Sequence, residues 1–259
     1  MRLTRREAKY LRSLQQKKVR QRERKFVLEG WRAVAEALHA AAAVEYVAVA
    51  GGDHAEGHAE VLAGFRGRGV PVREADAALL ELASGTVQTQ GVLALVAQQR
   101  WSVEEVLRPE ASLVVALDGV ADPGNLGTVL RTCDWFGAAG VLLGRGSVEL
   151  HNEKVVRSTV GSLLRLPAAE DVDLPEALAE ARRLGFTVIA ASGDGTLDYL
   201  SASIGSKMLF VFGSEAHGVS GEVRAAADAV VRIPCYGRAE SLNVGVACGI
   251  LLAHWRSKS

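Results

Sequence analysis

Five short apolar runs constrain the second half of this 259-residue chain, at 113–117, 140–143, 187–191, 208–212 and 230–234. Runs of this length without polar alternation predict strands buried on both faces. Stretches with helical spacing separate them, near 125–137, 151–160, 174–184, 219–227 and 243–257. Strand and helix in regular alternation predict an α/β fold with a mostly parallel sheet covered by helices. Ligands in such sheets bind beyond the carboxyl ends of the strands. The loops after Leu117, Ala191, Phe212 and Pro234 are therefore where a site is expected.

The first half reads as a smaller α/β unit over 1–98. A helix is predicted over 2–16, a flexible basic stretch over 17–25 and a short strand at 26–28. A helix follows over 29–41, with Trp31, Val34, Ala35 and Leu38 at helical spacing. Next come a strand at 44–50, a Gly/His-rich turn at 51–57, a helix near 57–68, a strand near 70–73, a helix near 75–83 and a strand at 92–96. Residues 99–111, which include Pro109, read as a linker, and 112–259 as the second domain.

Net charge is zero but unevenly spread. Residues 1–25 hold eleven Lys/Arg against Glu7 and Glu23, so this end carries +9 and the remainder −9. Such asymmetry points to a polyanionic partner, because Lys and Arg neutralise phosphates without reading sequence. Lys17, Lys18, Arg20, Arg22, Arg24 and Lys25 are the candidate phosphate contacts. No cleavable apolar leader and no membrane-spanning run is apparent, so a soluble, cytoplasmic protein is expected. Cys133, Cys235 and Cys248 form neither a disulfide framework nor a metal-ligand spacing, and no metal is expected.

Three stretches carry polar residues that could do chemistry. After the first run of the second domain comes Asp118-Gly119-Val120-Ala121-Asp122-Pro123-Gly124-Asn125-Leu126-Gly127, continuing to Arg131-Thr132. Asn125 can cap the next helix, and Arg131 shares a helical face with Gly127. After 208–212 comes Gly213-Ser214-Glu215-Ala216-His217-Gly218, where Glu215 stands at a strand exit; His217 reads as an exposed residue of a glycine loop. After 230–233 comes Pro234-Cys235-Tyr236-Gly237-Arg238-Ala239-Glu240-Ser241-Leu242-Asn243, where Ser241 or Asn243 can cap the last helix. Taken singly, each stretch reads as a helix cap or a tight turn.

In their joint order these stretches resemble the three motifs of the SpoU, or TrmH, family of RNA ribose methyltransferases in the SPOUT superfamily. Residues 157–161 match the segment between the first two motifs, and the likeness covers about 110–257. Residues 10–97 resemble, less sharply, the L30e-like RNA-binding domain often fused ahead of it, through 17–30 and Gln90-Gly91-Val92. Cys235 stands where the family often has methionine, and Gly245 where it often has serine.

The resemblance implies a deep trefoil knot in the C-terminal domain and S-adenosylmethionine as cofactor. It implies that backbone groups of Gly213, Ile233 and Leu242 hold the cofactor, with Ala191 and Ser214 beside them. It implies that Arg131 activates the ribose 2′-hydroxyl, with Asn125, Glu215, Ser241 and Asn243 positioning the reactants. Guanidinium stays charged, so stabilising developing alkoxide charge suits Arg131 better than acting as a base. A homodimer is implied, with the final helix at its interface; Trp255 and Leu251 are candidates to be buried there or in the core, since a dimer seam and a core face look alike in sequence. The expected substrate is RNA, with 23S ribosomal RNA favoured and tRNA the alternative. A non-catalytic RNA-binding protein on this fold would be expected to lose these polar residues. A nicotinamide-dependent dehydrogenase would need a glycine fingerprint after an early strand, which is absent.

Overall fold

The computed structural model describes residues 2–51, 57–84, 89–203 and 205–258. Most of the expected 51–57 turn lies outside the described residues. The chain divides into two compact units, residues 1–99 together with 151–164, and residues 100–150 together with 165–259.

In the first unit, β1 (Lys25–Glu29), β2 (Val44–Ala50), β3 (Val72–Ala75) and β4 (Val92–Ala97) form a sheet ordered β1-β4-β2-β3. β4 runs antiparallel to both β1 and β2, and β3 is parallel to β2. α1 (Arg5–Ser13) opens on a capping box. The Glu7 amide donates to the Thr4 hydroxyl at 3.3 Å, and the Thr4 amide donates to the Glu7 carboxylate at 2.8 Å. This satisfies two donors that a helix start otherwise leaves unpaired. Ala8, Leu11 and Leu14 pack with Tyr46, Ala48, Leu93 and Leu95. Arg5, Arg6 and Lys9 stay in solvent.

The stretch expected to be flexible is a helix, α2 (Lys17–Glu23), ended by Arg24 in the left-handed region at φ +55°. Its order has a local cause. Arg20 turns inward, is 3% exposed, and donates to the Leu14 and Gln15 carbonyls at 2.9 and 2.6 Å. Those acceptors lie just past the end of α1, so one guanidinium binds the two helices together. α3 (Trp31–His39), α4 (Ala59–Gly67) and α5 (Ala77–Ala83) complete this part of the unit.

The second unit begins with α6 (Val103–Val106) and is built on seven strands: β5 (Leu113–Asp118), β6 (Gly140–Gly144), β7 (Ala168–Val172), β8 (Thr187–Ala191), β9 (Leu197–Asp198), β10 (Met208–Gly213) and β11 (Ala229–Arg232). Their order is β7-β6-β5-β10-β8-β11-β9, and every pairing is parallel. One face packs Val114, Ala116, Leu142, Val188, Ala190, Leu209 and Val211 against Leu174, Ala177, Leu178 and Ala181 of α9 (Leu174–Arg183). α7 (Pro123–Trp135) and α11 (Val244–Arg256) pack together, α7 against β6 and α11 against β10, while α10 (Gly221–Ala226) packs on α9 and β8.

Leu251 and Trp255, expected at a dimer seam, are buried within the protomer. Trp255 is 1% exposed and its indole N–H faces the Gly205 carbonyl at 3.4 Å. A helix that covers a sheet needs an apolar face for its own protomer, which accounts for both residues. β7 and β9 were not predicted. β7 is an edge strand with Glu170 and Asp171 in it, and edges commonly carry charge. β9 is only two residues long.

Residues 151–164, between β6 and β7 in sequence, belong to the first unit. α8 (Glu153–Thr159) packs on β1, and the His151 ring lies 4.8 Å from that of Phe26. Gly161, at φ +95°, lies so close to Glu36 that an added Cβ would sit 2.6 Å from the Glu36 Cβ.

Candidate active site

Strand register sets the frame of the site. Phe212 pairs with Ala191, and Ala191 with Val231, so the loops after β10, β8 and β11 leave the sheet side by side. On the other flank Gly213 pairs with Asp118, which brings the loop after β5 into the same row.

α7 starts earlier than its apolar spacing suggests. Asp122 is its N-cap, accepting from the Asn125 amide at 2.8 Å, and Pro123 occupies the first turn. Proline fits there because its missing N–H would have had no partner. With Asp122 as the cap, the Asn125 side chain is free for other bonds.

Those bonds join the three stretches singled out in the sequence. Asn243 Oδ1 accepts from the amides of Gly245 and Val246, at 2.9 and 3.4 Å, and so caps α11. Its Nδ2 must then donate, and it does so to Asn125 Oδ1 at 2.7 Å. Asn125 Nδ2 in turn donates to Glu215 Oε1. Each amide has one oxygen and one NH2, so fixing the first orientation fixes the second. The order Asn243 to Asn125 to Glu215 follows from the helix cap.

Glu215 sits in a turn closed by the Gly218 amide donating to the Ser214 carbonyl at 2.8 Å and the His217 amide donating to Ser214 Oγ at 3.2 Å. Gly213 is required here by contact: a Cβ would lie 1.9 Å from the Gly218 carbonyl carbon. The far end of the loop is held by the Ser220 amide, which donates to Asp118 Oδ2 at 2.7 Å.

Arg131 is not part of this chain of bonds. It lies exposed on α7, with no hydrogen bond or ion pair among the described residues. The nearby carboxylate of Asp134 is taken by Arg165 at 2.9 Å. Ser241 and Leu242 are exposed on the loop after β11, while Ala191, Gly213, Ser214 and Ile233 are half-buried at the strand ends. No hydrogen bond of the Ile233 or Leu242 peptide groups is found among the described residues. Asp118, Asp122, Ser192, Asp194 and Arg224, which also shape these loops, were not singled out from the sequence. The acid directly after the 113–117 run and the Ser-Gly-Asp-Gly turn after 187–191 were the available signals.

The basic segment is more varied than its composition suggests. Lys17, Lys18 and Arg24 are exposed and unpaired among the described residues. Arg22 pairs with Glu23 at 2.8 Å, and the half-buried Lys25 with Glu45 at 2.6 Å. Glu45 is the leading reason the Lys25 ammonium is held above its ordinary pKa. Arg20, expected to face phosphate, is instead a buried fastener of the two helices. Among the described residues no three His, Cys, Asp or Glu side chains converge as metal ligands, and no helix is long and apolar enough to cross a membrane.

Residues 112–253 match the SpoU rRNA Methylase family, and residues 6–94 match the MRM3-like substrate binding domain. An uncharacterized tRNA/rRNA methyltransferase of Archaeoglobus fulgidus is 38% identical over 141 residues, 54% of this chain and 62% of the relative. The chain thus spans less than two thirds of that relative's length. A 23S rRNA (guanosine-2′-O-)-methyltransferase of a Burkholderia species is 36% identical over 182 residues, covering 69% of this chain and 74% of the relative. Among solved structures, an AdoMet-bound rRNA methyltransferase from Sinorhizobium meliloti superposes with a TM-score of 0.86 at 31% identity, covering 97% of this chain and 94% of the other.

Proposed function

Because the chain belongs to the SpoU rRNA methylase family, we propose that it transfers a methyl group from S-adenosylmethionine to a ribose 2′-hydroxyl of RNA, with 23S ribosomal RNA as substrate. The observation that carries this reading is the hydrogen-bond chain from Asn243 through Asn125 to Glu215, which unites three sequence motifs at the carboxyl rim of a parallel sheet. We assign the second unit, with its seven-stranded parallel sheet, to the SPOUT superfamily and its trefoil-knot fold; the likeness to an AdoMet-bound rRNA methyltransferase over 97% of the chain supports this.

The chain's own groups suit the cofactor. Main chain at 233–242 that is outside any ladder offers donors and acceptors, and adenine presents both kinds of partner on its edge. The tight 213–218 turn leaves no room for a side chain at Gly213, so a ligand there meets backbone. Gly213, Ile233 and Leu242 would hold it, flanked by Ala191 and Ser214. When bound, S-adenosylmethionine supplies an electrophilic methyl group on a sulfonium centre.

Every other requirement falls on this chain's residues. Asn125 and Asn243 hold Glu215 in one orientation, so it need not be ordered when substrate arrives. Such positioning is a large part of what an active site contributes to a bimolecular step. Arg131, which pairs with no group among the described residues, binds an RNA phosphate and stabilises negative charge on the attacking 2′-oxygen. Ser241, on the loop after β11, orients the ribose. Lys17, Lys18 and Arg24 supply the sequence-independent share of RNA affinity. We further place the protein in the cytoplasm and assign it a homodimeric state. The exposed apolar side chains of Trp135 on α7 and of Leu242 and Val246 at the start of α11 support the second assignment.

The test is transfer of labelled methyl from S-adenosylmethionine to separated, unmodified RNA pools, followed by identification of the nucleoside. A 2′-O-methylnucleoside in the ribosomal pool is expected. Label confined to tRNA would keep the reaction and replace the substrate. Arg131→Ala is expected to lower turnover about 100- to 1000-fold while S-adenosylhomocysteine still binds, a loss of the size seen when a charge-stabilising donor is removed. Retained turnover in that variant would remove Arg131 from the mechanism.

A further inference from the structure

The turn after β8 is fastened more heavily than four residues require. Its Gly195 amide closes on the Ser192 carbonyl at 3.0 Å, and the Ser192 amide donates to the Val231 carbonyl at 2.9 Å. Ser192 Oγ donates to Asp194 Oδ1 at 2.5 Å. Arg224, reaching over from α10, donates Nη1 to both Asp194 oxygens at 2.8 and 3.0 Å and to Ser192 Oγ at 3.3 Å. Arg232 donates to the Gly195 carbonyl at 3.0 Å. Gly195 itself is pressed onto β11, where an added Cβ would lie 2.5 Å from the Val231 carbonyl carbon. Ser192 and Arg224 are the first two causes that hold the Asp194 carboxyl below its ordinary pKa, so the clamp is intact at neutral pH.

Global stability does not account for this arrangement. The Asp194 side chain is 71% exposed, and ion pairs in solvent contribute little to folding. Its location is more telling. Because Phe212, Ala191 and Val231 share a register row, Ser192 lies between the exits of β10 and β11, with Gly213 on one side and Arg232 on the other. The clamp therefore fixes main chain at the centre of the carboxyl rim.

We propose that Asp194 and Arg224 are positioning residues that hold the 192–195 turn in the shape in which the main chain of Ala191 and Ser192 meets bound S-adenosylmethionine, and so set cofactor affinity. This rests on the methyltransferase reading above. Neither residue touches the reacting atoms; both act through the backbone of the turn.

The experiment is calorimetric titration of the full chain with S-adenosylhomocysteine, for wild type, Asp194→Ala, Arg224→Ala, the double alanine variant and the exchanged pair Asp194→Arg with Arg224→Asp. Each single change is expected to weaken binding about tenfold, equivalent to ~1.4 kcal/mol. The double variant should be scarcely weaker than either single one, because the two residues act as one contact. The exchanged pair should recover part of the affinity. KM for S-adenosylmethionine should rise, while kcat at saturating cofactor changes by less than about threefold, the pattern of lost uniform binding. Amide exchange should quicken at 192–196 while the unfolding midpoint stays near wild type. Should Arg224→Ala fail to fold, Arg224→Gln, which loses the charge that pairs with Asp194, carries the same expectation. Unchanged affinity in these variants, from a wild type that binds, overturns the inference alone. A wild type that binds no S-adenosylhomocysteine overturns the methyltransferase reading and this inference with it.

Discussion

Asn125 has no spare hydrogen-bonding capacity in the direction that counts. Its oxygen is taken by Asn243 and its NH2 by Glu215. Asn125→Asp replaces the donor with a second acceptor facing Glu215, so two carboxylates meet where one amide was satisfied. Turnover should fall about 100-fold or more, the usual consequence of misplacing an aligned group. Affinity for S-adenosylhomocysteine, measured on the same protein, should change little. Arg20 and its neighbours give a second residue-level contrast. Arg20→Ala removes charged hydrogen bonds from buried carbonyls and should cost about 1.5–3 kcal/mol in urea unfolding. Lys17→Ala and Lys18→Ala should leave stability alone and each lower the salt slope of RNA binding by about 1. The sequence marked all three as equivalent cations. It could not separate them, because which basic side chain turns inward depends on where the α1 carbonyls end. Asn125, Glu215 and Asn243 were legible as candidates from their motifs. Their bonding order was not, since it follows from which residue caps each helix, and Asp122 displaced Asn125 from that role.

Helix α7 and helix α11 meet through small residues. A Cβ on Gly245 would lie 2.7 Å from the Thr128 Cγ2 and 3.1 Å from Asn243 Oδ1. Gly245→Ala should therefore destabilise the fold by about 1–3 kcal/mol, the ordinary cost of overpacking. Because the obstructing atom is a single methyl, Thr128→Ser in the same chain should recover much of the loss; denaturant midpoints of the single and double variants check this. The contact also touches Asn243, so the single variant should lose activity beyond what its stability explains. Apolar runs made β5, β6, β8, β10 and β11 readable, because strands covered on both faces have few polar positions. β7 escaped notice for the opposite reason. At the sheet edge it carries Glu170, whose carboxylate accepts from the Leu150 amide at 2.8 Å, and Asp171 at φ +58°. Such a segment reads as a loop. α2 failed the same way: its charge resembled disorder until Arg20 was seen to be internal.

At the scale of the whole molecule, the division of the chain does not follow its linear order. One passage between units falls at 99/100, and the contacts of 151–164 add a passage out and another back. No pattern in the sequence marks this, because α8 has the same helical spacing whichever unit it packs on. A single proteolytic cut near Arg100 should leave the 1–99 piece associated with the remainder, through α8 on β1 and Gly161 on Glu36. Native gel filtration should show one species, and denaturing electrophoresis two.

The same interleaving bears on synthesis and ancestry. A ribosome finishes the first unit only on reaching residue 164, after β5, α7 and β6 of the second have emerged. The early sheet must wait for α8 while the later one is already being made. A genetic exchange that kept the first unit whole would need junctions at 99/100, 150/151 and 164/165 together. A crossover at the first alone would set β1 against a covering helix from the other parent, so the two units are expected to be inherited as a matched pair.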